Sequence, residues 1–250
     1  MLTLKKSLGQ HFLKDEQVSQ RIIEVLNENR FQRLLEIGPG GGALTKFLVA
    51  LRDIEFKCIE IDHEKVQYLL KAFPALQGHI LEQDILQASK PFEEPFTVVG
   101  NFPYNISTEI LFKLLDWKDS LQQVIGMFQK EVAQRVAAKE GSKIYGVTSV
   151  LIQAFFEVGY LFEVPETAFE PPPKVKSAVI RMRPLAVPVH MRDLKSFRNL
   201  VKAAFGQRRK MLRNAVRGLF SPDVLRDALF DRRAEQLSVE EFGTLTFRMV

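Results

Sequence analysis

Leu34-Leu35-Glu36-Ile37-Gly38-Pro39-Gly40-Gly41-Gly42-Ala43 is a short apolar run that breaks into glycines, and its reading decides the fold. The first four residues suit a buried strand, and the pattern from Ala43 to about Leu51 suits a helix. Strand, glycine loop and helix are the parts of a nucleotide-binding βα turn, where glycines permit a tight bend and close backbone approach to a ligand. Gly38, Gly40 and Ala43 satisfy the G-x-G-x-x-A form of the dinucleotide fingerprint, which brings a dehydrogenase into consideration. No Gly-Lys-Ser/Thr follows, so this is not a phosphate-gripping P-loop. Glu36 tilts the balance between the remaining ligands. A carboxylate there would repel a pyrophosphate but could pair with a cationic or amine-bearing ligand. S-adenosylmethionine carries both a sulfonium and an α-amino group, so Glu36 favours a methyl donor over a nicotinamide dinucleotide.

The strands that follow add acidic groups at the same kind of position. A second strand, residues 54–61, ends in Glu60-Ile61-Asp62, with Glu60 22 residues past Gly38 and near the spacing at which an acidic side chain accepts from ribose hydroxyls. Asp62 reads more simply as the N-cap of a helix over residues 63–72. A third strand around residues 78–81 leads to Asp84, which could accept from an adenine amino group between apolar walls at Ile61 and Ile85. A post-strand Asp is usually only a turn residue. Here it is the third acidic or glycine-rich feature in succession at a strand's carboxyl end, where open α/β sheets bind ligands.

The fourth strand, Phe96 to Val99, is expected to stop at Gly100 and deliver Asn101-Phe102-Pro103-Tyr104-Asn105. Asn101 offers a side-chain carbonyl acceptor, Pro103 holds Phe102 extended, and Tyr104 offers a flat π-face. Acceptors beside a stacking ring suit a planar ring with an exocyclic NH2, such as adenine. Ser107 and Glu109 open the next helix.

Elsewhere the chain reads as scaffold or surface. His11 precedes a helix capped by Asp15 with a stripe of Val18, Ile22, Ile23, Val25 and Leu26. A strand over 124–128 and a helix over 129–138 follow the fourth unit, and residues 141–146 read as a mobile loop before a helix over 147–156. Strands over 157–162 and 177–182 are separated by the stiff loop Phe169-Glu170-Pro171-Pro172-Pro173-Lys174-Val175, which could set Phe169 and Lys174 beside a substrate. Residues 184–188 look like a linker, and the pattern is helical from Asp193. Between Leu194 and Pro222 stand eight basic residues and no acidic one: Lys195, Arg198, Lys202, Arg208, Arg209, Lys210, Arg213 and Arg217. A stretch without counter-charge over this length fits a surface for a phosphate backbone. Ser238 to Glu241 forms a capping box for a late helix.

Composition agrees. The 250 residues are 46% hydrophobic and 26% charged, which is the balance of a soluble globular chain with a sizeable core. A net charge of +5 points to an anionic partner. The single cysteine, Cys58, lies within an apolar strand; it excludes an intramolecular disulfide framework and a cysteine-rich zinc site and fits a reducing cytosol. No signal peptide or membrane-spanning run is present, so a cytoplasmic protein without a membrane partner is expected.

Taken in order, the motifs resemble one family. They are Gln10-His-Phe-Leu13, Glu36-Ile-Gly-Pro-Gly-Gly-Gly-Ala-Leu-Thr45, Glu60-Ile-Asp62, Gln83-Asp84, Asn101-Phe-Pro-Tyr-Asn-Ile-Ser107, the 169–179 loop and Phe205-Gly-Gln-Arg-Arg-Lys210. The set is similar to the ribosomal RNA adenine dimethyltransferases, specifically the bacterial KsgA type acting on small-subunit RNA. The resemblance covers essentially the whole chain. It implies an α/β class I S-adenosylmethionine-dependent methyltransferase domain with a Rossmann-like seven-stranded sheet, residues 1–183, followed by a small basic all-helical RNA-binding domain, residues 184–250. It implies S-adenosylmethionine as donor and no metal. The implied substrate is 16S rRNA within the small ribosomal subunit, dimethylated at N6 of two adjacent adenosines in the 3′-terminal hairpin loop, by a monomeric enzyme. Carried over by residue, the donor site is His11, Leu13, Gly38, Glu60, Asp84 and Asn101. The catalytic group is Asn101, Phe102, Pro103 and Tyr104, and the RNA contacts are Phe169, Lys174, Arg208, Arg209 and Lys210. Two positions depart from the family, which often has Asn where His11 stands and Leu or Ile where Phe102 stands; a bulkier side chain at 102 could alter the room for a second methyl group. The rival readings are a large-subunit (23S) rRNA adenine methyltransferase of the macrolide-resistance type and a non-catalytic RNA-binding assembly factor. A DNA adenine methyltransferase is weaker, for want of a target-recognition domain.

Overall fold

The computed structural model describes residues 11–250; Lys5, Lys6 and Gln10 lie outside the described residues. The chain divides into two compact units, one running to Ala133 and joined by Val158–Pro184, the other made of Gln134–Glu157 and Leu185–Val250.

The first unit begins with β1 (Phe12–Leu13) and α1 (Glu16–Asn27). Asp15 caps α1 by accepting from Gln17 N at 2.9 Å, and the helix buries Ser19, Ile22 and Leu26. Then come β2 (Arg33–Ile37), α2 (Thr45–Leu48), β3 (Glu55–Glu60), α3 (His63–Ala72), β4 (Ile80–Glu82), β5 (Phe96–Asn101), α4 (Ser107–Asp116) and β6 (Leu121–Gln129). The chain continues through α5 (Lys130–Ala137), α6 (Val147–Gln153), β7 (Phe156–Val164), β8 (Phe169–Glu170) and β9 (Ser177–Pro184). Seven strands form one sheet in the order β4-β3-β2-β5-β6-β9-β7. Pairs among β2, β3, β4, β5 and β6 are parallel, and β9 lies antiparallel on β6. Strands covered on both faces need apolar side chains throughout, and β2 and β5 supply them: Leu34, Leu35, Ile37, Phe96, Val98 and Val99 are all buried. Separately, β1 pairs antiparallel with β8, Leu13 opposite Phe169.

The chain runs from β2 outward through β3 to β4, then returns to place β5 on the other side of β2. That reversal is the topological switch point, and the carboxyl ends of β2 and β5 flank it. Two elements differ from expectation there. β5 continues through Gly100 and Asn101, because both have partners on β6, Gly126 and Met127. α2 is only one turn long; the glycine loop before it closes with Gly42 N donating to Pro39 O at 2.8 Å, and Lys46 N donates to Gly42 O at 3.1 Å.

In the second unit α7 (Leu194–Gly206) is capped by Asp193, which accepts from Ser196 N at 2.7 Å, and buries Phe197, Leu200, Val201 and Ala204. α8 (Leu212–Ala215) and α9 (Val239–Leu245) follow, the latter with the expected capping box: Glu241 N donates to Ser238 Oγ at 3.1 Å and Ser238 N to Glu241 Oε2 at 2.8 Å. α6 packs against α7, so residues 134–157, which the sequence reading assigns to the first domain, are part of the helical unit. Nor is the 141–146 loop loose. Gly141 N donates to Glu235 O at 2.7 Å, Arg208 Nη2 donates to Ser142 O at 3.2 Å, and Tyr145 is buried against Phe205.

Candidate active site

A cavity of about 880 Å³ opens at the carboxyl ends of β2, β3 and β5. Its floor is the glycine loop. Gly42 has φ +83°, and a Cβ there would stand 2.6 Å from the Phe73 ring, so only glycine fits. Glu60 ends β3 and is buried; its Oε2 accepts from Gly40 N at 3.2 Å and its Oε1 from Asp62 N at 3.0 Å. The carboxylate therefore stays ordered beside the loop with lone pairs remaining for hydroxyl donors. Asp62, not Glu60, caps α3, accepting from Glu64 N at 3.1 Å. Asp84 spends one oxygen on Leu86 N at 2.9 Å. Of its expected apolar walls, Ile85 is buried, whereas Ile61 is 53% exposed and lines the cavity, a large apolar side chain awaiting a cover.

The opposite wall is the Asn101–Tyr104 turn. Asn101 Nδ2 donates to His11 O at 3.3 Å, which fixes the amide so that its Oδ1 is the acceptor left for a ligand. His11 in turn donates from Nδ1 to Pro171 O at 2.9 Å, since a carbonyl can only accept, and its ring lies 5.4 Å from the Tyr104 ring. Tyr104 shares a hydrogen bond with Ser177, and burial pushes its phenol above the ordinary value. Phe102 N donates to Met127 O at 3.1 Å. The Phe102 ring is buried edge-on to Phe128 with centroids 4.9 Å apart, in space left by Gly100 and Gly126. The bulk of this aromatic is thus accommodated in the protein interior, beside two glycines.

His11, Leu13, Gly38, Glu60 and Asp84 line this one cavity together with Asn101, Phe102, Pro103 and Tyr104. Three expected participants do not behave as read from sequence. Phe169 is fully buried in the core with Leu13, Ile22 and Val164, because β8 pairs with β1 there; its ring offers no face to a base. Glu36 lines the cavity, as expected, but is 2% exposed and holds the glycine loop from within, accepting from Thr45 Oγ1 at 2.7 Å and from Cys58 Sγ at 3.8 Å. Desolvation outweighs these bonds and raises its carboxyl from 4.5 to about 8, so it is no free anion waiting for a cationic ligand. Arg208 is not a bare cation either. Besides Ser142 O it faces Glu235 Oε2 at 3.8 Å, and Arg213 pairs with Asp231; the counter-charges missing from the local sequence come from residues 231–235. Arg209, Lys210, Lys195, Lys202 and Arg217 are exposed and have no ion pair among the described residues. Lys174 is exposed on its loop and does not line the cavity. Ser177 and Phe12 escaped the sequence reading. Phe12 packs over Gly40 and Gly41, and an aromatic between two candidate ligand residues was the available signal.

The chain matches the family described as Ribosomal RNA adenine dimethylase over residues 1–246. The chain belongs to that family. Among relatives of this adenine dimethylase, the Ribosomal RNA small subunit methyltransferase A of Cytophaga hutchinsonii is 50% identical over 246 residues, covering 97% of this chain and 95% of that one. The protein of the same name from Bacteroides thetaiotaomicron is 51% identical over 247 residues, covering 97% and 92%. Solved structures share the fold. A dimethyladenosine transferase from Plasmodium falciparum superposes with a TM-score of 0.79 at 24% identity, over 93% of this chain and 94% of that one. The 23S rRNA methyltransferase ErmE superposes with 0.72 at 25% identity, over 95% and 99%. The dimethylase is therefore an S-adenosylmethionine-dependent methyltransferase with a Rossmann-like fold, acting on ribosomal RNA. Its cavity suits the donor chemically: paired carboxylates at Glu60 and Asp84 for hydroxyl and amino donors, an apolar wall at Ile61, and a glycine loop for close backbone approach. Among the described residues, no helix is long and apolar enough to cross a membrane.

Proposed function

We infer that this dimethylase transfers methyl groups to N6 of two adjacent adenosines in the 3′-terminal hairpin loop of 16S rRNA, within the small ribosomal subunit, as a step of ribosome biogenesis. The observation that carries this reading is the placement of Asn101 and Tyr104 on the same cavity as Gly38, Glu60 and Asp84. The half-identical relatives named for the small subunit supply the choice of RNA. On this reading the enzyme works as a monomer in the cytoplasm.

Bound S-adenosylmethionine supplies an electrophilic methyl group on a sulfonium. Glu60 would hold the ribose, Asp84 the donor's adenine amino group, and Gly38, His11 and Leu13 the remainder. The acceptor is the harder partner, because the N6 lone pair of adenine is delocalised into its ring. Asn101 Oδ1, oriented by the bond from Nδ2 to His11, accepts one N6 hydrogen. The backbone carbonyl of residue 102 or 103 is the second acceptor; that of Pro103 also accepts from Ile106 N at 3.3 Å. Two acceptors turn the amine so that its lone pair leaves conjugation and aligns for in-line transfer, making positioning the main catalytic device. Tyr104 stacks on the extruded base. No strong base is required, since the proton can leave once the methyl group has arrived. In the second unit Arg209 and Lys210 meet the RNA backbone, with Lys174 near the acceptor strand.

The test is to incubate the enzyme with labelled donor and unmethylated small subunits, then map the modified bases. Two adjacent dimethyladenosines in 16S rRNA are expected. Label confined to 23S rRNA would give the large-subunit reading instead, and donor binding without any transfer would make the chain an assembly factor.

A further inference from the structure

Ser177 is the first residue of β9, fully buried, and rigidly placed. It stands opposite Gln129 of β6, and the Lys176 carbonyl before it accepts from Lys130 N at 2.9 Å. Its hydroxyl shares a hydrogen bond with the Tyr104 phenol. Tyr104 is differently situated. It opens a single helical turn after Pro103, lines the cavity, and is only half-buried; its ring touches the His11 ring at 5.4 Å, tilted by 32°. A tyrosine on a cavity wall has two rotatable side-chain bonds, and a tether at the far end of the ring fixes both at once. The Ser177 end of that tether belongs to the sheet, not to the catalytic turn.

We propose that Ser177 is a positioning residue for methyl transfer, holding the Tyr104 ring at the tilt on which the acceptor base stacks. This rests on the function inferred above. The tether is worth more to catalysis than to folding. If the Ser177 hydroxyl is removed, the half-buried Tyr104 can turn its phenol toward the cavity it lines, so little stability is lost. The ring, however, then samples other tilts, and a base stacked on it is misaligned with the donor. The Tyr104 phenol, which burial raises above its ordinary value, is protonated at neutral pH and able to hold this bond.

The test uses the full chain with S-adenosylmethionine and unmethylated small subunits, comparing Ser177→Ala, Tyr104→Phe and the double variant in single-turnover transfer. Donor affinity is measured by titration. Ser177→Ala is expected to slow transfer about 3- to 10-fold while donor Kd stays within about twofold. Tyr104→Phe keeps the ring and loses the tether, so the double variant should be no slower than the slower single one. Multiplying losses, a donor Kd rising in step with the lost rate, or an unchanged rate in Ser177→Ala would each overturn the role. Fluorine spectra of 3-fluorotyrosine-labelled protein supply a readout that needs no RNA. Of the four tyrosine signals, the one that Tyr104→Phe deletes should move and broaden in Ser177→Ala. If Ser177→Ala shows this change but the wild type methylates no RNA, the functional reading is overturned, and the role in transfer with it, while the tether stands.

Discussion

Replacing Glu36 by Gln separates a structural carboxyl from a ligand-binding one. Glu36 is buried beneath the glycine loop, with its carboxyl raised from 4.5 to about 8 by desolvation, against the bonds from Thr45 and Cys58 that favour the anion. In the unfolded chain the same group ionises near 4.5. Between those values the folded state holds up to one proton more than the unfolded state, so unfolding free energy falls as pH rises. The contribution is complete below the unfolded value and is lost as pH climbs through about 8. A displacement of this size corresponds to about 5 kcal/mol in the limit, of which about 3 kcal/mol is lost between pH 5 and pH 8. Glu36→Gln keeps an acceptor for Thr45 Oγ1 and does not titrate. Urea unfolding of ligand-free wild type and variant across this range should therefore show the variant gaining on wild type by about 3 kcal/mol toward the alkaline end. Groups that do not interact with Glu36 cancel in the difference, and Cys58, which does, is held well above its ordinary value by burial and stays protonated over this range. Parallel pH profiles would refute the reasoning. Donor affinity supplies the second arm: it should hold within about twofold, and a tenfold loss would mean that Glu36 meets the donor as a carboxylate after all.

Asn101→Ala should leave donor binding within a few-fold and cut methyl transfer by about 100-fold, because the acceptor loses its oriented carbonyl whereas the donor keeps Glu60, Asp84 and the glycine loop; unchanged turnover on small subunits would sink the assignment. Arg209→Glu combined with Lys210→Glu should weaken subunit binding and flatten its salt dependence, whereas equal affinity across salt would remove these two from the interface. Arg208→Ala, by contrast, should chiefly lower thermal stability, since it ties Ser142 to Glu235. A Cβ at Gly126 would lie 2.4 Å from the Phe128 ring and 2.6 Å from the Phe102 ring. Gly126→Ala should therefore cost about 1–3 kcal/mol in unfolding free energy and slow transfer through Phe102. Adding Phe102→Leu should restore part of both, and no restoration would mean that the Phe128 clash dominates.

What could be read from the sequence was whatever a local string determines. The β-then-α alternation, the Asp15, Asp62 and Ser238 caps, and the carboxyl-end placement of Gly38, Glu60, Asp84 and Asn101 all follow from residue type and spacing. Burial by distant segments does not. Glu36 looked like a ligand residue because Thr45 and Cys58, which enclose it, lie 9 and 22 residues away. Phe169 looked like a base platform because nothing in its Pro-rich loop announces that β8 pairs with β1, more than 150 residues earlier. The basic stretch looked unopposed because its counter-charges arrive from residues 231–235. Residues 134–157 were assigned by adjacency along the chain, whereas their buried side chains pack with helices that begin forty residues later.

The same long-range connections explain why the Asn101–Tyr104 turn is well defined although it is a loop. A proline and one helical turn fix its backbone, but its functional groups are set from elsewhere: the Asn101 amide by His11 O, the Tyr104 phenol by Ser177, and the His11 ring by Pro171 O. His11 lies on the segment that leads into β1, and Pro171 and Ser177 bound the loop between β8 and β9. The β1–β8 pair joins those two pieces, so the segment covering the glycine loop and the loop anchoring the acceptor face are one assembly. Asn101 is held from the β1 side, by His11 O, and Tyr104 from the β9 side, by Ser177. On the function proposed above, in-line transfer needs both partners registered to a fraction of an ångström, and fastening Asn101 to the residue before β1 and Tyr104 to the first residue of β9 provides that registration without a dedicated acid or base.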